Sequence, residues 1–213
     1  MIFTSDNGGP NYITIRDINH PLRGWKATLL EGGLRVPLFM QWTDQISSGL
    51  IDDSVVSHID ILPTLIDAIN SKEKHPISIE KNIENAVEGA SLMPSLTSLK
   101  IDNTTNISRY HDSLFWRSGH YKAIRKGDWK ASVSTRPKKK WLFNLHDDPS
   151  EINNLADKLD YQSKLNEMTE LIEAYDQNYS NSRWQSVSET AVFFDKLLGE
   201  TEHVEDEFVY WPN

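Results

Sequence analysis

The chain has 213 residues, a net charge of −9 at neutral pH from 22 Lys and Arg against 31 Asp and Glu, and no cysteine. That length allows one large or two small domains with a real core. The acidic balance argues against a nucleic-acid surface while leaving room for a local basic pocket, and the lack of cysteine excludes a disulfide framework and a thiolate metal site. No run approaches the roughly 18 apolar residues of a membrane-spanning helix. The start, MIFTSDNGG, has neither the basic nor the long apolar region of a signal peptide. A buried-looking strand at the first residues reads instead as an internal position of a longer protein.

Ile2 to Thr4 is a short strand that breaks into Ser5-Asp6-Asn7-Gly8-Gly9. In open α/β sheets the binding crevice lies outside the carboxyl ends of the strands, so Asp6 and Asn7 are candidate oxygen ligands for a hard cation. The same residues also make an ordinary turn, and both readings stand at this point. Gly9 to Arg23 shows neither helical nor strand period, and ordered loops of that length are usually functional. Its polar members are Arg16, Asp17, His20 and Arg23, with Tyr12 and Trp25 as rings that can stack on a sugar or aryl group. Lys26 follows, a compact positive charge suited to an anionic oxygen.

Val36 to Trp42 reads as a buried strand. Ser54 to Asn70 reads as a short β segment entering a helix, with Leu62, Leu65, Ile66 and Ile69 on one face, Asp60 placed to cap and Pro63 in the first turn. His58 and Asp60 are expected to be structural. Residues 71–109 are polar and read as a surface excursion.

From residue 109, SLFWRSG, YKAIRKGDWKASVS and KKWLFNL are strand-like runs separated by turn signals at Ser118-Gly119, Lys126-Gly127-Asp128 and Arg136-Pro137, which predicts an antiparallel meander. Tyr161, Leu165, Met168, Ile172 and Tyr175 share one face of a helix over 160–177 that would cover it. Phe115, Trp116, Trp129, Trp141 and Phe143 are expected in that core, whereas His111 and His120 flank the first strand, where a substrate rim is within reach. The last stretch, 185–213, is acidic. ETAVFFDKLL there is expected to form a short amphipathic helix, and the aromatic FVYWPN to dock on the body.

Taken together, SDNGG, PLRGxK, EGGLRVP, SHIDILPTLIDA, LFWRSG, KAIRKGDWK and LFNLHDDPSEINNLA resemble, in that order and over roughly residues 1–178, the C-terminal part of a formylglycine-dependent sulfatase of the alkaline phosphatase superfamily. The resemblance implies an α/β fold: a remnant of the main mixed sheet flanked by helices over 1–108, a small α+β subdomain of meander plus helix over 109–184, and an acidic extension over 185–213. It places Asp6 and Asn7 on two calcium ligands and Lys26 on the lysine that contacts the substrate sulfate, with His20 and Arg23 as further substrate-binding candidates. Glu31 to Pro37 becomes scaffold, with Arg35 a structural ion-pair residue.

The implied cofactor is Ca²⁺, the implied partners are a sulfated small molecule or glycan and a missing N-terminal half, and the implied location is periplasmic or extracellular. The family's nucleophile lies in a Cys/Ser-x-Pro-x-Arg signature. No such segment occurs in this chain, so the chain alone is expected to be inactive. A phosphoesterase relative, a catalytically incompetent fragment and a sulfated-glycan binding module are the alternatives.

Overall fold

The computed structural model describes residues 1–71, 88–98, 110–180, 183–184 and 186–212. Most of the surface excursion read over 71–109 lies outside the described residues. By contacts the chain divides into two compact units, Met1–Ile2 with Phe39–Asp112, and Phe3–Leu38 with Ser113–Asn213. One cut falls at Asp112/Ser113, and the Phe3–Leu38 stretch and the tail group with the meander, to which Glu31 and Arg23 are bonded through Lys130 and Glu151.

What stands for the expected mixed sheet is a two-stranded piece, β1 (Ile2–Thr4) with β2 (Leu38–Met40). At its end in the first unit, the Met1 ammonium donates to the Gln41 carbonyl at 2.7 Å and the Gln41 N–H returns a bond to Met1. The β segment expected before the helix is absent among the described residues, since 51–57 is irregular.

A 3₁₀ turn (His58–Asp60) leads into α2 (Ile61–Asn70), which follows the short helix α1 (Glu31–Leu34) in chain order. Asp60 holds that entry, as expected of a capping residue. Its carboxylate accepts from the Ser57 N–H at 2.7 Å, the Ala90 N–H at 2.8 Å and the His111 ring at 2.9 Å. Among the described residues the predicted packing face of α2 is only partly covered: Ile66 is half-buried, whereas Leu62, Leu65 and Ile69 are 55%, 44% and 44% exposed. The buried position is Thr64, whose hydroxyl donates to the Asp60 carbonyl and accepts from the Leu92 N–H. A cavity of about 410 Å³ lies beside α2 and α3 (Met93–Ser98), lined by Met1, Met40, Trp42, Ile46, Ile69 and Leu96 among others.

In the second unit the predicted meander forms as β3 (Leu114–Ser118), β4 (Tyr121–Lys126), β5 (Trp129–Thr135) and β6 (Lys138–Asn144), in that order, with turns where Gly119, Gly127 and Pro137 place them. Residues two apart point to the same face, so the sheet builds two cores. Ile124, Ala131 and Leu142 meet Leu165, Met168 and Ile172 of α4 (Gln162–Gln177), the predicted helix. Tyr121, Ala123, Trp141 and Phe143 on the other face meet Leu29, Leu30, Phe194 and Val209. Cover on both faces explains why the consecutive residues Trp141, Leu142 and Phe143 are all fully buried. Phe115, Trp116 and Trp129 pack against the same clusters, half-buried.

The tail departs from expectation. Its predicted helix is a strand, β7 (Glu189–Phe193), paired antiparallel with β8 (Phe208–Pro212). The long-range ladder and the burial of Phe194 and Val209 outweigh the local amphipathic pattern.

Candidate active site

The end of β1 and the segment around Lys26 are held side by side by the backbone. The Gly8 N–H donates to the Gly33 carbonyl at 3.0 Å, and the Lys26 N–H to the Gly9 carbonyl at 3.0 Å. Gly8 is there because nothing larger fits: a Cβ on it would sit 1.8 Å from the Gly32 carbonyl oxygen. Asn19 completes the bracket. Its Oδ1 accepts from the Gly9 N–H at 2.7 Å, and its Nδ2 donates to the carbonyls of Gly9 and Gly24 at 2.9 and 3.0 Å. One amide thus joins the strand end to the turn that carries Lys26. No sequence signal singled it out, since an Asn in a polar loop reads as a turn residue.

Around this bracket the candidate residues divide. Asp6 and Lys26 are exposed, and among the described residues neither side chain has a hydrogen bond or ion pair. Asn7 is half-buried, and its Nδ2 donates to the Gly8 carbonyl at 3.0 Å, which leaves Oδ1 as an acceptor. A carboxylate and an amide oxygen on adjacent residues are donors that calcium accepts, and they fit it as two of the roughly six to eight oxygens it takes. Among the described residues no group of three His, Cys, Asp or Glu side chains is placed to hold a metal. His20 is exposed on the loop, as is Tyr12.

Trp25, expected as a stacking ring, is only 5% exposed and belongs to the core under the turn, where Thr28 Oγ1 donates to its carbonyl and accepts from its N–H. Arg23, expected at the substrate, has its guanidinium committed elsewhere. It donates to Asp195 at 2.6 Å, Glu207 at 2.9 Å and the Glu151 carbonyl at 3.0 Å. Despite its burial, the two carboxylates hold its pKa above the ordinary arginine value. The two rim histidines are also occupied: His111 by Asp60, and His120 by Thr135 at 3.0 Å and Glu189 at 3.3 Å.

Beneath the bracket lies a cluster that spacing along the chain did not show. Lys130 on β5 is fully buried, with its ammonium 2.8 Å from Glu31 on α1 and 3.0 Å from Glu151. The Glu31 N–H donates to Glu151 at 2.5 Å, and Arg125 approaches Glu31 at 3.5 Å. Burial alone would raise the Glu31 pKa, but Lys130, Arg125 and Arg35 hold it below the ordinary value. Glu151 is pushed the other way, because burial and the Glu31 charge outweigh Lys130. The structural ion pair of this segment therefore centres on Glu31 rather than on Arg35, which is exposed.

Comparison with known proteins gives one consistent result. The family described as N-sulphoglucosamine sulphohydrolase, C-terminal, matches residues 24–178. An N-acetylglucosamine-6-O-sulfatase of Bacteroides thetaiotaomicron is 23% identical over 167 residues, which cover 75% of this chain and 28% of that protein. A sulfatase of Formosa agariphila is 29% identical over 171 residues, 78% of this chain and 28% of its own length. The crystal structure of Ps i-CgsB in complex with k-i-k-neocarrahexaose superposes with a TM-score of 0.67 at 25% identity, covering 86% of this chain and 37% of that one. The chain spans less than two fifths of each of these proteins.

Proposed function

Because the chain belongs to the N-sulphoglucosamine sulphohydrolase C-terminal family, and so is the C-terminal portion of a sulfatase of the alkaline phosphatase superfamily, we propose that it supplies one side of a site that hydrolyses a sulfate ester on a carbohydrate. The observation that carries this reading is the bracket. The backbone bond from Lys26 to Gly9 ties the turn that carries the exposed Lys26 to the strand end that carries Asp6 and Asn7, the two candidate oxygen donors.

In this reading Lys26 binds a sulfuryl oxygen and holds the ester in place, Asp6 and Asn7 hold calcium, and His20 lies at the rim against the sugar. Calcium, when bound, would stabilise the charge that develops on the sulfuryl oxygens, usually the largest single contribution to such catalysis. Asn19 and the Glu31–Lys130–Glu151 cluster keep the two segments in register. The carbohydrate assignment draws on the N-acetylglucosamine-6-O-sulfatase and on the Ps i-CgsB complex with k-i-k-neocarrahexaose. The nucleophile belongs to a polypeptide segment other than these residues, since no Cys/Ser-x-Pro-x-Arg occurs here.

Titration of the full chain with sodium sulfate and with calcium chloride, followed by calorimetry, tests this. Lys26→Ala should weaken sulfate binding by about tenfold or more, the loss of one charged hydrogen bond, and leave calcium binding intact, while D6N with N7A should do the reverse. Equal sulfate affinity in wild type and K26A would remove Lys26 from the site. An aryl sulfate should not turn over with the chain alone, and turnover would show that the nucleophile is present after all.

A further inference from the structure

The Gly9–Lys26 loop carries three permanent cations, Arg16, Arg23 and Lys26. The tail takes two of them. Arg16 is paired with Glu200, and Arg23 with Asp195 and Glu207 while lying 5.5 Å over the Phe194 ring. Backbone contacts tie the same two segments together: the Leu198 N–H donates to the Asn11 carbonyl at 3.1 Å, and Asn11 Nδ2 to the Lys196 carbonyl at 3.4 Å. The tail is rooted in the core through Phe194 and Val209, and the Trp141 indole N–H donates to Glu207 at 2.9 Å. Arg16 and Arg23 precede, and Asp195, Glu200 and Glu207 follow, the 24–178 stretch that the family model matches.

We propose that the C-terminal hairpin is a charge-selecting element of the sulfate site: its carboxylates occupy Arg16 and Arg23, leave Lys26 as the open permanent cation of the loop, and restrict the loop to sugar residues bearing a single sulfate. This rests on the reading of Lys26 as the sulfate contact. A guanidinium fork binds a sulfate as readily as a carboxylate, so a second sulfate on the sugar would be held by a free Arg16 or Arg23. With both forks filled, that second sulfate meets carboxylates instead, and like-charge contact disfavours it.

The test uses the full chain with glucosamine 6-sulfate and glucosamine 2-N,6-O-disulfate as probes, by calorimetry at low ionic strength. D195N with E200Q removes two tail charges at exposed or half-exposed positions while keeping side-chain shape, and Glu207 with its bond to Trp141 stays untouched. The affinity ratio of disulfated over monosulfated sugar should rise about fivefold in the double variant, the size of one or two released surface pairs. Adding R16A should bring the ratio back towards wild type. E200Q alone should move it in the same direction, and unchanged thermal unfolding midpoints will show that every variant is folded.

A ratio that stays within about twofold of wild type would overturn the proposal. So would a double variant that binds neither sugar, because a released Arg16 must add affinity for the disulfated probe, Arg23 keeping its bonds to Glu207 and the Glu151 carbonyl. K26A separates the two ideas. If it leaves both wild-type affinities unchanged, the Lys26 reading fails, and the shift in ratio still decides the role of the tail.

Discussion

In the unit built on the meander, Tyr121, Trp141, Phe143 and Met168 are fully buried on two faces of one sheet, and even the charged Lys130 is sealed among partners. In the unit of Phe39–Asp112, the buried residues among those described are Leu92, Thr64 and Asp60, while Leu62, Leu65 and Ile69 remain about half exposed. Among the described residues the first is stabilised by packing, and the second by polar staples around Asp60, with its helix face half exposed. Equal hydrophobicity in the sequence therefore does not mean equal contribution to stability. What counts is the area removed from water, roughly 25 cal/mol for each Å² of apolar surface.

Four measurements would break or sharpen this contrast. The largest effect is expected from K130M, which strands Glu31 and Glu151 without their cation. Urea unfolding of the full chain should show a loss of about 3–5 kcal/mol, and replacing all three residues by apolar ones should recover much of it. A loss below about 1 kcal/mol would mean that the cluster does not pin the unit. Next, M168A should cost about 2–5 kcal/mol through the cavity it leaves. The same truncation in the other unit, L65A, should cost under about 1 kcal/mol because its side chain is already wet. Similar losses at the two positions would erase the distinction.

D60A should cost about 1–3 kcal/mol by leaving the Ser57 and Ala90 N–H groups and His111 without their acceptor. Hydrogen exchange should accelerate at those two amides and not at Ala123.

The smallest effect is expected from pH, because the two buried glutamates oppose each other. Glu31, held low, contributes stability that is present above the ordinary glutamate value of 4.5 and is lost as pH falls through its lower folded value. Glu151, pushed up, does the opposite: the folded chain takes up a proton first, so stability rises as pH falls from its raised value towards 4.5. In a denaturation series over pH, E151Q should remove the rise above 4.5, and E31Q the fall below it. An unchanged profile in both variants would take the cluster out of the acid response.

What the sequence made legible was local. The meander turns carry their own glycines and proline, and α4 carries its own period, so both could be placed without knowing their neighbours. Lys130 could not be understood in that way, because its partners are 99 positions away at Glu31 and 21 positions away at Glu151. The same holds for Arg23, whose carboxylate at Asp195 lies 172 positions along the chain. As a loop arginine it looked like a substrate contact, yet it holds the tail. ETAVFFDKLL looked helical by composition, and became a strand because Phe208–Pro212 offered a ladder. Lys26, Asp6 and Asn7 are singled out by resemblance, and what the sequence did not show is the backbone bonding that ties the Lys26 turn to the end of β1.

That bracket has a consequence for how such a chain can change over generations. A Cβ at Gly8 would meet the Gly32 carbonyl oxygen at 1.8 Å, one at Gly32 the carbonyl oxygens of Arg23 and Gly24 at 2.5 Å, and one at Gly33 that of Thr28 at 2.3 Å. Each obstacle is backbone, which every residue type carries, so no second substitution at the neighbour can make room. Drift around these three positions has no compensated route, only retention or loss. A substitution at Gly8, Gly32 or Gly33 is therefore the mark by which a copy of this gene freed from selection would be known.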